Sequence, residues 1–312
     1  MKMNKTIAAT AVAIATVLPA TAMAAPSVTL SGVVGGKVVM PMSDDETKDW
    51  KFSASKARMK LKAVDATSLG KAIAEIEVDF DDLANSKNAD GEAVDVRTAR
   101  VLLINKAGTF VAIGRGASGQ FSNLVGPVDR FKNGGANFFS QGSRSSNVLA
   151  YVTPEIAGGL KLVVAGVASG TSNSEDLDAT VLRAQYKFKG IKAAAGVVSF
   201  PNDSSRVGLG LSGQAGPVNL GLAYEANDSR ADDKSVLGVA GTMKVGESGS
   251  VSVGVNTVME VADGSALTDA MAYQVLYAHK LSKQTSMWAE YDGFNDEAAM
   301  DGALAVGMDV KF

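Results

Sequence analysis

Arg58, Lys60 and Lys62 stand two residues apart, with Ala57, Met59 and Leu61 between and beside them. In an extended strand that spacing puts all three bases on one face. A dozen residues later Glu75, Glu77 and Asp79 repeat the pattern, alternating with Ala72, Ala74, Ile76, Val78 and Phe80. If the two segments pair, acids and bases meet across the strands. Such a surface makes or breaks no bond. Its chemistry is a fixed electric field acting on whatever charged solute passes it.

The rest of the inventory points the same way. The chain has no Cys and one His, so Cys and His zinc clusters, disulfides and thiol nucleophiles are excluded. His279 has no second His to work with, and no nucleophile has a local His base, although distant Ser and acid residues are not excluded by spacing. Gly208, Gly210 and Gly213 spell G-x-G-x-x-G, but Leu209 and Leu211 read as strand residues and no helix follows, which argues against a dinucleotide site. Met271, Met287 and Met308 are scattered, as packing or lipid-facing residues would be. With 30 Lys plus Arg against 33 Asp plus Glu, bulk charge gives no basis for nucleic-acid binding.

The elements that must position these charges begin after an address. Lys2 and Lys5 precede an apolar stretch from Ile7 to Leu18, and Ala22, Met23 and Ala24 form an A-x-A cleavage site. Residues 1–24 are therefore expected to be a secretory signal, leaving a mature chain of 25–312. One later window, Val207 to Tyr224, is free of charge and long enough to suggest a membrane helix. Five glycines and the central Pro217 rule that out, and a period of two fits it as two strands.

Period-two alternation recurs to the end. Leu182, Ala184, Tyr186 and Phe188 alternate with Val181, Arg183, Gln185 and Lys187; Val251, Val253 and Val255 alternate with Ser252, Gly254 and Asn256. The last strand sets Leu304, Val306, Met308, Val310 and Phe312 against Ala305, Gly307, Asp309 and Lys311. A soluble sandwich shows the same alternation, so the connections must discriminate. Short turns at 64–69, 105–108, 154–159, 189–190, 213–217, 245–249 and 281–284 alternate with longer loops at 41–49, 81–95, 116–142, 170–178, 201–204, 227–234, 262–268 and 295–301, the loop at Pro201 alone being short. These 15 connections join 16 strands. An even strand number with turns at one end and loops at the other predicts an all-β fold, a transmembrane antiparallel β-barrel with short periplasmic turns and long external loops.

Here a resemblance becomes specific. Val28 to Met40, Arg97 to Arg115, Asn147 to Leu160, the turn LSKQT at Leu281 to Thr285 and the ending VGMDVKF resemble the Gram-negative general porins. That resemblance implies a 16-stranded homotrimer in the bacterial outer membrane whose third loop folds into the lumen. It implies a basic wall at the constriction from Arg58, Arg97 and Arg144, which Arg115 and Lys60 are expected to join. Opposite them the third loop would offer Asp129, next to Arg130 and Lys132. Phe312 would be read by the barrel-insertion machinery. The 19 aromatic residues are fewer than two full aromatic girdles require.

Sorting the charges sharpens the expectation. The seven long loops other than the third carry 20 acids and 4 bases, whereas strands and turns of the mature chain keep 12 acids and 22 bases. An acidic outside and a basic wall suit a water-filled channel for passive diffusion of small hydrophilic solutes and ions, weakly anion-selective or near neutral, without a cofactor or metal. External acids would be bridged by divalent ions to lipopolysaccharide. Two alternatives stay open: a substrate-selective channel for anions or sugars, with Phe121, Phe131, Phe138 and Phe139 as an aromatic track, and a non-channel barrel acting as adhesin or envelope tether.

Overall fold

The computed structural model describes residues 26–42, 49–84, 94–116, 124–134, 138–139, 145–156, 158–168, 177–201, 203–228, 233–261, 270–295 and 302–312. Sixteen strands follow one another. They are β1 (Ser27–Met42), β2 (Lys51–Thr67), β3 (Gly70–Asp79), β4 (Asp95–Asn105), β5 (Phe110–Arg115), β6 (Val148–Val152), β7 (Leu160–Val167) and β8 (Ala179–Phe188). The second half comprises β9 (Ile191–Ser199), β10 (Ser205–Ala215), β11 (Val218–Asn227), β12 (Asp233–Val245), β13 (Gly249–Val261), β14 (Met271–Lys280), β15 (Thr285–Phe294) and β16 (Gly302–Lys311). One helical turn, α1 (Asp81–Ala84), follows β3. Every strand pairs antiparallel with its sequence neighbours, and β16 pairs with β1, so the sheet closes into a barrel.

Closure satisfies every strand edge, which is what allows a sheet to cross a bilayer. The side chains confirm where the apolar solvent lies. Leu30, Val101 and Val253 on the outer face are 58%, 57% and 51% exposed, while Glu290 and Asp309 on the inner face are 1% and 2% exposed. A water-soluble sandwich would show the reverse. The expected alternation between turns and loops is also found, with the turns after β2, β10 and β12 tighter than the sequence suggested. The turn at 213–217 shrinks to Gly216 and Pro217 because β10 runs on to Ala215, and Gly216 takes φ 57°, a left-handed conformation that suits Gly.

Two irregularities place functional residues. Where β3 meets β4, register shifts between Glu77 and Val78, so Thr98 faces Glu77, Val96 faces Val78, and Arg97 is the extra residue of a β-bulge. Where β1 meets β2 the register shifts between Gly35 and Gly36, with Ser55 as the extra residue.

Inside the barrel, the third loop, between β5 and β6, packs against β11–β16. Its Leu124, Val125, Val128, Phe131, Phe138 and Phe139 are buried together with Ala223, Val236, Ala240, Val258, Ala272, Leu276, Trp288 and Ala305. Inward glycines make the seat. A Cβ at Gly208 would lie 2.7 Å from Leu124, at Gly238 2.9 Å from the Phe139 ring, and at Gly254 2.6 Å from the Phe131 ring. At Gly221 it would collide with the Pro127 carbonyl.

Candidate pore constriction

The basic wall forms where β2, β3 and β4 lie side by side. Register puts Arg58 opposite Asp79, Lys60 opposite Glu77 and Lys62 opposite Glu75, all on the inner face. Glu75 is the hub. Arg100 donates to it through Nε at 2.8 Å and Nη2 at 2.6 Å, while the Lys60 and Lys62 ammoniums stand 3.2 and 3.7 Å away. Arg97 bridges Glu77 and Asp79 at 3.0 Å each, and Arg58 reaches Asp79 at 2.8 Å and Asp81 at 3.5 Å. Charge-assisted contacts of this length fix the guanidinium planes in the wall.

Arg97 and Arg100 stand at odd separation and would face opposite ways in a regular strand. The bulge at Arg97 turns both inward. Arg100 is a site residue that the sequence reading missed, and the signal available was its parity with Leu102 and Ile104 on the inner face of β4.

Asp81 stands at the loop end of this wall. Its carboxyl accepts from the Ala57 N–H, and its own N–H donates to Asp79 at 3.0 Å. Burial, then the hydrogen bond from Asp79, pushes the Asp81 carboxyl above the ordinary carboxylate range, against the pull of the Ala57 N–H and Arg58.

Not every expected member joins. Arg115, the last residue of β5, instead contacts Ser146 at 3.0 Å and Asp95 at 3.4 Å, where β4 begins and just ahead of β6, and has no ion pair with the β3 acids. Arg144 lies outside the described residues.

The third loop is tied to the opposite wall by its own bases. Arg130 donates to the carbonyls of Pro127 and Asn219 at 2.6 Å and to the Thr242 hydroxyl at 3.2 Å. Lys132 Nζ sits 2.8 Å from Asp309. The Glu290 carboxylate accepts three consecutive backbone N–H groups, from Lys132, Asn133 and Gly134, at 2.5, 2.9 and 2.7 Å. Asn133 adds a bond to Asp292 at 2.8 Å and accepts one from Lys37 at 2.7 Å. Arg130 and Lys132 therefore anchor the loop instead of standing free opposite the basic wall, a difference from expectation with a simple cause: the carbonyls of Pro127 and Asn219 and the Thr242 hydroxyl hold Arg130, and the buried Asp309 on β16 holds Lys132. Asp129 remains exposed on the loop and within Coulombic reach of Lys56 on β2.

Phe131, Phe138 and Phe139 are 8%, 7% and 4% exposed, buried against the glycine seat. They cannot stack on a passing sugar, and Phe121 lies outside the described residues. At the seam, Phe312 exchanges backbone hydrogen bonds with Gly32 at 2.9 and 3.2 Å, and its ring covers the space a Gly32 side chain would need.

A closed 16-stranded barrel whose third loop is folded inside, opposite a wall of arginines, is matched over residues 8–299 by the family model described as Gram-negative porin. The chain belongs to the Gram-negative porin family. As a porin it is a diffusion channel of the bacterial outer membrane. Solved outer-membrane proteins share the fold. OmpF of Salmonella typhi, in complex with daunomycin, superposes with a TM-score of 0.71 at 15% identity, covering 91% of this chain and 97% of its own. The anion-selective porin of Comamonas acidovorans gives 0.68 at 18%, covering 92% and 100%. OmpT of Vibrio cholerae, solved in a trimer form, gives 0.67 at 14%, covering 93% and 100%. No curated relative matches the chain. At these identities the likeness concerns the fold, so the porin's selectivity has to be argued from its own charges.

Proposed function

We propose that this porin is a passive, weakly anion-selective or near-neutral channel for small hydrophilic solutes and ions. The observation that carries the reading is the composition of the wall cluster. Arg58, Lys60, Lys62, Arg97 and Arg100 share four acids, Glu75, Glu77, Asp79 and Asp81, so one positive charge is left over. A nearly compensated wall gives a weak field, and Asp129 on the third loop weakens it further. Arg144 is proposed to extend this wall and Arg115 to flank it.

The physical setting favours the neck over the mouth. At physiological salt the Debye length is about 8 Å, so acidic external loops are largely screened before the constriction. A narrow, low-dielectric neck screens less. Transport is the whole of the proposed activity, and no cofactor enters it.

Assembly follows the same reading. Residues 1–24 would be removed on export, the barrel would form a homotrimer, Phe312 would mark it for the insertion machinery, and external acids would bind lipopolysaccharide through divalent ions.

Reversal potential under a salt gradient tests the selectivity. Arg97→Ser should move the channel toward cations and Asp129→Asn toward anions, each by about two- to fivefold in permeability ratio, the scale of an exposed charge pair. Strong cation selectivity unmoved by either substitution would place the constriction elsewhere.

A further inference from the structure

The wall cluster is almost neutral, and the acids of β15 and β16 are engaged by the third loop. A different part of the lumen holds bases with no such compensation. A cavity of about 870 Å³ opens at the turn end beneath the third loop, lined by Lys161 of β7, Lys187 of β8 and Lys192 of β9, with Arg130 on the side of the loop. Lys187 and Lys192 are direct cross-strand partners, and Lys161 faces Gln185, placing it diagonally from Lys187. Three ammoniums thus occupy one patch on three adjacent strands. Like charges directly opposite one another destabilise a sheet, so the patch is under repulsion when empty.

Among the described residues, no carboxylate lies within ion-pair distance of these three lysines, whereas Arg58, Lys60, Lys62, Arg97 and Arg100 each have one. Arg130 is held by two carbonyls and a hydroxyl, which fix its position and leave its charge uncompensated. Glu155, on the turn before β7, is the acid that lines the cavity, leaving four bases against one carboxylate. The remaining lining includes Gln185, Ser212 and Thr242, all able to hydrogen-bond an oxyanion.

From this arrangement we infer that the turn-end vestibule is an anion-collecting site for small dianions, such as dicarboxylates and inorganic phosphate, and that it adds to the weak anion preference left by the arginine wall. Two acid groups on one small solute bridge the Lys187 and Lys192 ammoniums and relieve their repulsion, whereas chloride engages one at a time. The cavity suits a small solute, since pockets for such ligands run about 300–1,000 Å³. The site lies beyond the third loop, so a dianion entering from the turn end reaches it without crossing the constriction.

The inference rests on the channel reading and is tested in planar bilayers with oriented single channels carrying chloride current. Succinate or inorganic phosphate added on the turn side should reduce chloride current at lower concentration than the same anion added on the loop side. In the K187Q/K192Q variant the half-blocking concentration from the turn side should rise about tenfold or more, the scale of losing charge-assisted hydrogen bonds. The reversal potential should also move toward cations. Lys161→Gln supplies a single-site check if the double variant inserts poorly, and the side asymmetry of the unmodified channel needs no variant. Symmetric block, or block unchanged by the lysine substitutions in a channel that conducts, overturns the site and leaves the channel reading standing. Absence of any conductance in the unmodified protein overturns both.

Discussion

Single carboxylates decide how the basic wall behaves. Glu75 serves three bases, and Asp81, at the edge of the wall, is the acid whose ionisation is hardest to maintain. Arg58 from β2, Asp79 from β3 and, at Coulombic range, Lys37 from β1 act on Asp81. Its carboxyl is raised in the folded chain, so its contribution to stability is complete below the unfolded value and is lost as pH rises through the folded one. For the pore the consequence has the same direction. As pH falls, Asp81 takes up its proton at a pH above the ordinary Asp value of about 3.9, before its exposed counterparts. The wall then gains one net positive charge, and reversal potentials measured down a pH series should drift toward anions in that window. Asp81→Asn should begin near the low-pH value of the unmodified channel and lack the drift. An identical drift in both proteins would assign the titration to another group.

At the scale of elements, the third loop is a plug held from both sides. Glu290 grips its backbone through three N–H groups, and the glycines of β10 to β13 leave room for Leu124, Pro127, Phe139 and Phe131. The loop can be loosened at either hold. Glu290→Gln removes the charge from all three bonds, and Gly254→Leu drives a side chain into Phe131. Each should cost about 1–3 kcal/mol of stability, from weakened charged hydrogen bonds in one case and overpacking in the other. The expected signs are a lower midpoint in urea and noisier single-channel current with the barrel still formed. Quiet current at unchanged stability in both variants would mean the loop is held by something else. Gly208, the first glycine of the G-x-G-x-x-G spacing, accommodates Leu124.

For the whole molecule, the decisive physical fact is the inverted distribution of polarity, with aliphatic residues outside and buried charges inside. It requires closure, because an open edge in hydrocarbon leaves backbone groups without partners. Closure is completed at the last residue, where Phe312 bonds Gly32 across the seam. Deleting Phe312 removes both backbone bonds and the ring that covers Gly32. The yield of heat-modifiable folded barrel in membranes should fall severalfold, while Phe312→Tyr, which keeps bonds and ring, should restore most of it. Undiminished barrel from the deletion variant would show that the seam closes without its terminal residue.

Strand number, sidedness and the acid–base pairing of β2 with β3 were legible in the residues themselves. Each follows from local rules: a period of two assigns faces, turn and loop lengths count strands, and lipid penalises charge on the outer face. Arg58, Lys60, Lys62, Glu75, Glu77 and Asp79 meet as their spacing requires. The partners of Arg130 and Lys132 were not legible, because Asn219 and Asp309 are 89 and 177 residues away and only the path of the third loop brings them together. Arg97 faces the wall together with Arg100 only through a bulge, a one-residue slip that alternation cannot reveal. The sequence by itself thus determined that there is a barrel, which face of each strand meets water, and that its wall is basic. Which of those bases are neutralised was settled by the tertiary structure, because ion pairing depends on distances across the lumen between residues that no local pattern connects.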